Sequence, residues 1–85
     1  MKLYWHNGRC NQAGVRIREA RERLGLSQEQ LAAKLQLAGL EITQKSISRI
    51  ETGLRIIPDY ELPYFADALN CSILWLISVS EDELR

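Results

Sequence analysis

The sequence predicts an all-α fold, a compact bundle of five short helices. Apolar residues recur at helical spacing in five successive stretches, and a glycine or a capping residue stands at most of the boundaries between them. No stretch shows the alternating pattern of a strand. Because 85 residues suffice for one small core only, we expect one domain over 13–78, an N-terminal arm over 1–12 and a short polar tail over 79–85.

The first two helices are predicted over 12–24 and 27–39. Gly25 is a stop signal for the first helix. The second opens at Ser27 in the letters SQEQ, a capping box in which the Ser27 hydroxyl and the Gln30 side chain each bond the other residue's backbone N–H. The residues expected to face the core are Val15, Ile17, Ala20, Arg21 and Leu24 in the first helix, and Leu31, Ala32, Leu35 and Ala38 in the second.

The third helix is predicted over about 43–52, with Thr43 as N-cap and Gly53 as stop. Ile47 and Ile50 form its buried pair. Its other side chains are rich in hydrogen-bonding groups: Gln44, Lys45, Ser46, Ser48 and Arg49. This polar face is either a solvated helix surface or a recognition surface, and the stretch alone favours the solvated surface.

Two more helices are predicted over 60–69 and 72–78. Pro63 is tolerated only in a first turn, so regular helix should begin near residue 60 or 61. Ser72 is the expected N-cap of the last helix, which is almost continuously apolar. The expected core residues of the fourth helix are Leu62, Phe65, Ala66 and Leu69.

The charge is unevenly distributed, although the formal net charge is zero. From Arg9 to Arg55 there are nine basic and five acidic residues, whereas 56–85 holds six acidic residues and one arginine. A dipolar protein of this kind can turn a basic face towards a polyanion. The alternative is a scatter of solvated charges with no partner.

Composition argues against several other classes of protein. No apolar run reaches the length of about 18 residues that a membrane helix needs, and no secretory signal is recognisable, so we expect a cytoplasmic protein. Cys10 and Cys71 do not suggest a disulfide framework. His6 and Cys10 offer too few ligands for zinc and nothing to orient them as a nucleophilic pair. We therefore expect no enzyme, metal, cofactor or small-molecule ligand.

Three motifs in order resemble one known family. They are LSQEQLA (26–32), ITQKSISRIETGLR (42–55) and ALNCSILWLI (68–77). Together they resemble the phage repressor/Cro type (XRE-like) helix-turn-helix family of DNA-binding regulators over about residues 14–77. The resemblance implies a lambda-repressor-like bundle containing a helix-turn-helix, whose third helix lies in the DNA major groove.

The resemblance also implies roles for individual residues. The base-reading positions are Gln44, Lys45, Arg49 and Ser48, where glutamine suits adenine and a basic side chain suits guanine. The positions that contact DNA phosphates are Ser27, Gln28, Thr43, Ser46, Thr52 and Arg55. Arg21 and Glu51 occupy the positions of a partly buried structural ion pair.

The sequence departs from the compact family pattern in three places, which are the segment before Thr43, Pro63 and the N-terminal arm. Seven residues separate Leu35 from Thr43, so we expect a longer second helix. The residues expected to cover the end of that helix are Leu37, Ala38, Leu40 and Ile42. The N-terminal arm either reaches DNA through Lys2 and Arg9 or covers the core, and we favour the second.

The resulting expectation is sequence-specific binding of double-stranded DNA by a transcriptional regulator, a repressor of phage or mobile-element type. A homodimer is expected, with leftover apolar surface at Leu74 or Ile77 forming the two-fold interface. The alternative is a protein–protein interaction module, an antitoxin or adaptor, that uses the same fold with weak or no DNA binding.

Overall fold

The computed structural model describes residues 5–78 and confirms the all-α fold. Within that range the only extended pairing is one isolated antiparallel bridge between His6 and Arg9. The predicted tail over 79–85 lies outside the described residues. The elements in chain order are α1 (Ala13–Arg23), α2 (Gln28–Leu37), α3 (Gln44–Glu51), a 3-10 turn (Asp59–Glu61), α4 (Leu62–Ala68) and α5 (Ile73–Ile77).

The core takes side chains from every α-helix. Helices of this length are marginal in isolation, so each depends on burying one face against the others. Around the largest side chains pack Ala13, Ala20, Ala32, Leu40, Ile42 and Leu69. The largest fully buried side chains are Phe65, Ile17, Leu31, Leu35, Ile47, Ile50 and Leu76.

Three of the helices begin where their capping residues predict. Ser27 and Gln30 form both bonds of the capping box at α2. The Thr43 side chain accepts a hydrogen bond from the backbone N–H of Ser46 at 3.1 Å, and α3 starts at the next residue. At α5 the Ser72 hydroxyl accepts from the backbone N–H of Trp75 at 3.0 Å.

Part of the predicted core is wrong for α1 and α2. Val15 and Leu24 are 57% and 42% exposed, because α1 buries only a narrow stripe of small residues around Ile17, and Leu24 follows the helix end. Leu37 is 91% exposed and Ala38 is also exposed.

The extra residues between α2 and α3 therefore do not all cover the end of α2. The helix stops at Leu37, and the chain returns to the core through Leu40 and Ile42, which are buried. The Gln36 side chain donates to the backbone carbonyl of Ile42 at 2.7 Å and holds this loop closed.

Pro63 lies in the first turn of α4, as its missing N–H requires. The α-helix begins at Leu62, one or two residues later than predicted, because 59–61 adopts a 3-10 turn instead. Phe65, Ala66 and Leu69 are buried as expected, whereas Leu62 is only partly buried.

The amino end of α1 lies directly against the carboxyl end of α3. A Cβ atom at Gly14 would stand 2.1 Å from the carbonyl oxygen of Ile50, a distance that only a glycine permits. The side-chain oxygen of Asn11 accepts from the Gly14 N–H at 2.7 Å. Glycine is therefore required here by the packing of two helices.

A buried ion pair joins the same two helices further along. Arg21 on α1 donates from Nε to Oε2 of Glu51 at 2.7 Å and from Nη2 to Oε1 at 3.0 Å. Its Nη1 donates to the carbonyl of Leu26, just before α2, at 2.7 Å. The two side chains are only 11% and 3% exposed, and the hydrogen bond with Glu51 raises the pKa of Arg21. One guanidinium thus fixes α1, the start of α2 and α3 together.

Replacing Arg21→Ala should lower the free energy of unfolding by about 3–5 kcal/mol, because it leaves the Glu51 carboxylate buried and unpaired. Urea denaturation followed by circular dichroism measures this loss. The control is Arg18→Ala on the same helix, which removes an exposed pair with Glu22 and should cost less than about 1 kcal/mol. Equal losses in the two variants would contradict this interpretation.

Replacing Gly14→Ala should destabilise the fold by about 1–3 kcal/mol, because the added methyl group must push α1 away from α3. Thermal unfolding measures the change. Val15→Ala, on the exposed side of the same turn, should alter stability by no more than about 0.5 kcal/mol. An alanine at residue 14 that left the melting temperature unchanged would show that the two helices separate freely.

Candidate nucleic-acid interface

Helix α3 has one apolar face and one polar face. Ile47 and Ile50 are completely buried, and they turn the helix so that Gln44, Lys45 and Arg49 are exposed. Ser48 is partly buried beside them. At 100° per residue, positions 44, 45, 48 and 49 are neighbours on one side of the helix. The structure therefore brings together the four predicted base-reading residues.

The side chain of Gln44 is held in place from α2. Its Nε2 donates to Oε1 of Gln28 at 2.7 Å, and Nε2 of Gln28 donates to Oε1 of Glu51 at 3.0 Å. A chain of hydrogen bonds thus runs from the buried Arg21 through Glu51 and Gln28 to the exposed start of α3. No local sequence pattern signals this connection, because Gln28 and Glu51 lie 23 residues apart along the chain.

A carboxamide has two N–H donors and an oxygen. Gln44 uses one donor on Gln28, which leaves its oxygen and its second N–H available to a ligand. In the same way, Gln28 uses its oxygen on Gln44 and one N–H on Glu51 and keeps a second N–H. Both amides are orientated before any ligand arrives.

The hydroxyl groups at the amino ends of α2 and α3 are already engaged. Ser27 caps α2, while Thr43 caps α3 and also donates to the Ser46 hydroxyl at 3.1 Å. The first backbone N–H groups of a helix have no partner within it and favour an anion. An anion at these ends would therefore meet backbone N–H groups as well as the side chains predicted from sequence.

Two predicted phosphate-contacting residues follow α3, and their side chains differ in how free they are to bind a phosphate. Thr52 is exposed, and its hydroxyl donates to the carbonyl of Ser48 at 2.9 Å. The guanidinium of Arg55 instead forms a bidentate ion pair with Glu61, with bonds of 2.8 and 3.0 Å. That hydrogen-bonded pair raises the pKa of Arg55 and fixes the loop between α3 and α4.

Residues 9–11 of the arm bond the backbone at the carboxyl end of α3. The backbone N–H of Cys10 donates to the carbonyl of Gly53 at 2.7 Å, and Arg9 and Asn11 also bond backbone at the end of α3. Residues 6–9 of the arm form a tight turn. The Asn7–Gly8 pair was the available signal, because Asn-Gly favours a two-residue turn. Lys2 lies outside the described residues.

Within residues 5–78, no group of three or more His, Cys, Asp and Glu side chains is placed to hold a metal ion. None of the helices in that range is both long enough and apolar enough to span a membrane.

Comparison with protein-family models matches residues 17–76, from within α1 to within α5, to a helix-turn-helix family of the Cro/C1 type. No curated protein matches the chain. The matched family binds double-stranded DNA, regulates transcription and is not enzymatic. The match covers more than two thirds of the chain and agrees with the motifs and the helix order described above. The chain therefore belongs to the XRE family of Cro/C1-type helix-turn-helix proteins, which are DNA-binding transcription regulators.

Proposed function

We propose that the chain binds a specific double-stranded DNA sequence by inserting α3 into the major groove. The observation that carries the proposal is the exposed face of Gln44, Lys45 and Arg49 on a helix whose opposite face is anchored by two buried isoleucines. The major groove is about 12 Å wide and admits one α-helix. Eight residues make a helix about 12 Å long, enough to reach several base pairs.

The proposed base contacts follow from the chemistry of each side chain. Gln44 pairs through its remaining N–H and oxygen with adenine, whereas Lys45 and Arg49 donate to the O6 and N7 of guanine. Ser48, beside them, is a supporting contact. The bond from Gln44 to Gln28 restricts the rotamers of Gln44, so less side-chain entropy is lost when it binds a base.

The proposed phosphate contacts cluster at the amino ends of α2 and α3. Ser27 and Gln28 serve the first and Thr43 and Ser46 the second, together with the backbone N–H groups of both helix starts. Thr52 is a further contact after α3. Arg55 is the less available of the proposed contacts, because three of its five N–H groups already bond Glu61 and the carbonyl of Ile56.

The assembly on DNA is proposed to be a homodimer of domains that span residues 13–78. Helix α5 leaves Ile73, Leu74 and Ile77 exposed by 39%, 57% and 39%, an apolar strip available to a second copy. A two-fold dimer would place two α3 helices in half-sites about 34 Å apart. Such a dimer would repress transcription by occupying a promoter, and the phage or mobile-element setting rests on the family resemblance.

DNA affinity should fall steeply with salt for the wild-type protein, since each neutralised phosphate contributes about −0.9 to the slope of log K against log salt concentration. The measurement is fluorescence anisotropy with a duplex selected from a random library, with a scrambled duplex as control. Negligible binding, or binding that salt leaves unchanged, would instead favour the antitoxin or adaptor alternative.

Replacing Arg49→Ala should weaken binding to the selected duplex by about 1–3 kcal/mol and relax the preference at one base position. The loss is confined to that position because Arg49 is proposed to contact a single base pair. Selection from the random library, repeated with the variant, measures both effects. Arg18→Ala is the charge-matched control and should preserve the wild-type preference. If Arg49→Ala changes neither affinity nor preference, Arg49 is not a base-reading residue.

A further inference from the structure

A two-residue turn in the arm directs the chain after residue 9 towards the carboxyl end of α3. Asn7 and Gly8 both have positive φ, 51° and 79°, as a type I′ turn requires. His6 and Arg9 exchange backbone hydrogen bonds of 2.7 and 3.0 Å across it. The turn reverses the chain, and the next residues run beside the last turn of α3.

The guanidinium of Arg9 caps α3. The helix ends in a Schellman motif, in which the N–H groups of Gly53 and Leu54 bond the carbonyls of Ile50 and Arg49 at 3.1 and 2.8 Å. These two bonds leave out the carbonyl of Glu51. That carbonyl accepts a hydrogen bond from Nη2 of Arg9 at 2.9 Å. A positive charge at the carboxyl end of a helix also interacts favourably with the helix dipole.

Asn11 connects three elements through one side chain. Its Nδ2 donates to the carbonyl of Ile50 at 3.0 Å and to that of Arg55 at 2.7 Å. Its Oδ1 accepts from the N–H of Gly14 at the start of α1. The amide thereby joins α1, α3 and the loop that follows α3.

Two glycines make room for the Arg9 side chain. A Cβ atom at Gly53 would stand 2.8 Å from its guanidinium carbon, and one at Gly14 would stand 2.9 Å from its Nη2. Nε of Arg9 also donates to the carbonyl of Asn11 at 3.2 Å. Arg9 is thus seated between α1 and α3 and faces backbone carbonyls instead of the exposed face of α3.

We propose that Arg9 and Asn11 are positioning residues, which fix the orientation of α3 relative to α1 and thereby the placement of its base-reading side chains. This inference rests on the proposed function. Both residues precede the segment matched by the family model, residues 17–76. Their hydrogen bonds to the end of α3 are therefore an addition of the arm to the matched segment. Arg9 acts through α3 and does not contact phosphate.

The test compares full-length Arg9→Ala and Arg9→Lys with wild type and with the charge-matched control Arg18→Ala. Lysine keeps the charge but lacks the planar fork, so it could replace a phosphate contact and not this cap. At a temperature where every variant is folded, both Arg9 variants should bind the selected duplex about tenfold more weakly than wild type. The slope of log affinity against log salt concentration should be unchanged. The ratio of the affinities for the selected and the scrambled duplex should be smaller than in wild type. Amide exchange at Gly53 and Leu54 should accelerate in both variants without DNA.

Three results would overturn the proposal. One is full rescue by lysine together with a salt slope reduced by about 1 in Arg9→Ala, which would make Arg9 a phosphate ligand. Another is wild-type affinity and preference in both variants, which would leave the cap a stabilising feature only. The third is unchanged amide exchange at Gly53 and Leu54. If the wild-type protein itself does not distinguish the two duplexes, the proposed function fails, and this outcome is separate from a failure of the variants.

Discussion

The buried ion pair between Arg21 and Glu51 is the constraint on which the arrangement of the helices depends. Two charges removed from water are costly unless each is fully hydrogen-bonded, and here the guanidinium and the carboxylate satisfy one another together with Leu26 and Gln28. Only one relative placement of α1, the start of α2 and α3 meets these conditions. The same carboxylate, through Gln28, orientates Gln44 on the exposed face.

Helix α3 has to serve the core and the candidate DNA interface with eight residues. Ile47 and Ile50 provide nearly all of its inward apolar surface, and that small anchor would hold a short helix poorly by itself. Polar contacts at both ends supply the rest of the constraint. The Thr43 cap and the Gln28 amide fix the amino end, whereas the arm fixes the carboxyl end. The outer face takes a smaller part, since Gln44 donates to Gln28 and Nη2 of Arg49 donates to the carbonyl of Leu54 at 3.5 Å.

The sequence predicted the helices well because their signals are local. Capping residues at 27, 43 and 72 and the spacing of Ile47 and Ile50 act within one or two turns, so they operate whatever the rest of the chain does. The errors concern which apolar residues are buried, because a local pattern does not show which elements pack against it. Val15, Leu24 and Leu37 are apolar at plausible spacing, yet no element packs over them. The spacing of apolar residues predicts one face of a helix, but a residue on that face is buried only if another element packs against it.

What the sequence by itself determined is the order of the helices, the start of the three that have a capping residue, the family, and the set of polar side chains on α3. The tertiary structure alone decided how those side chains are held and which candidates are available. Arg55 and Arg9 look alike in sequence, as isolated basic residues beside the helix-turn-helix. One is bound by a buried carboxylate on the 3-10 turn before α4, and the other caps α3 between two glycines. Such contacts join residues six to more than forty positions apart, and their geometry exists only after the helices have packed.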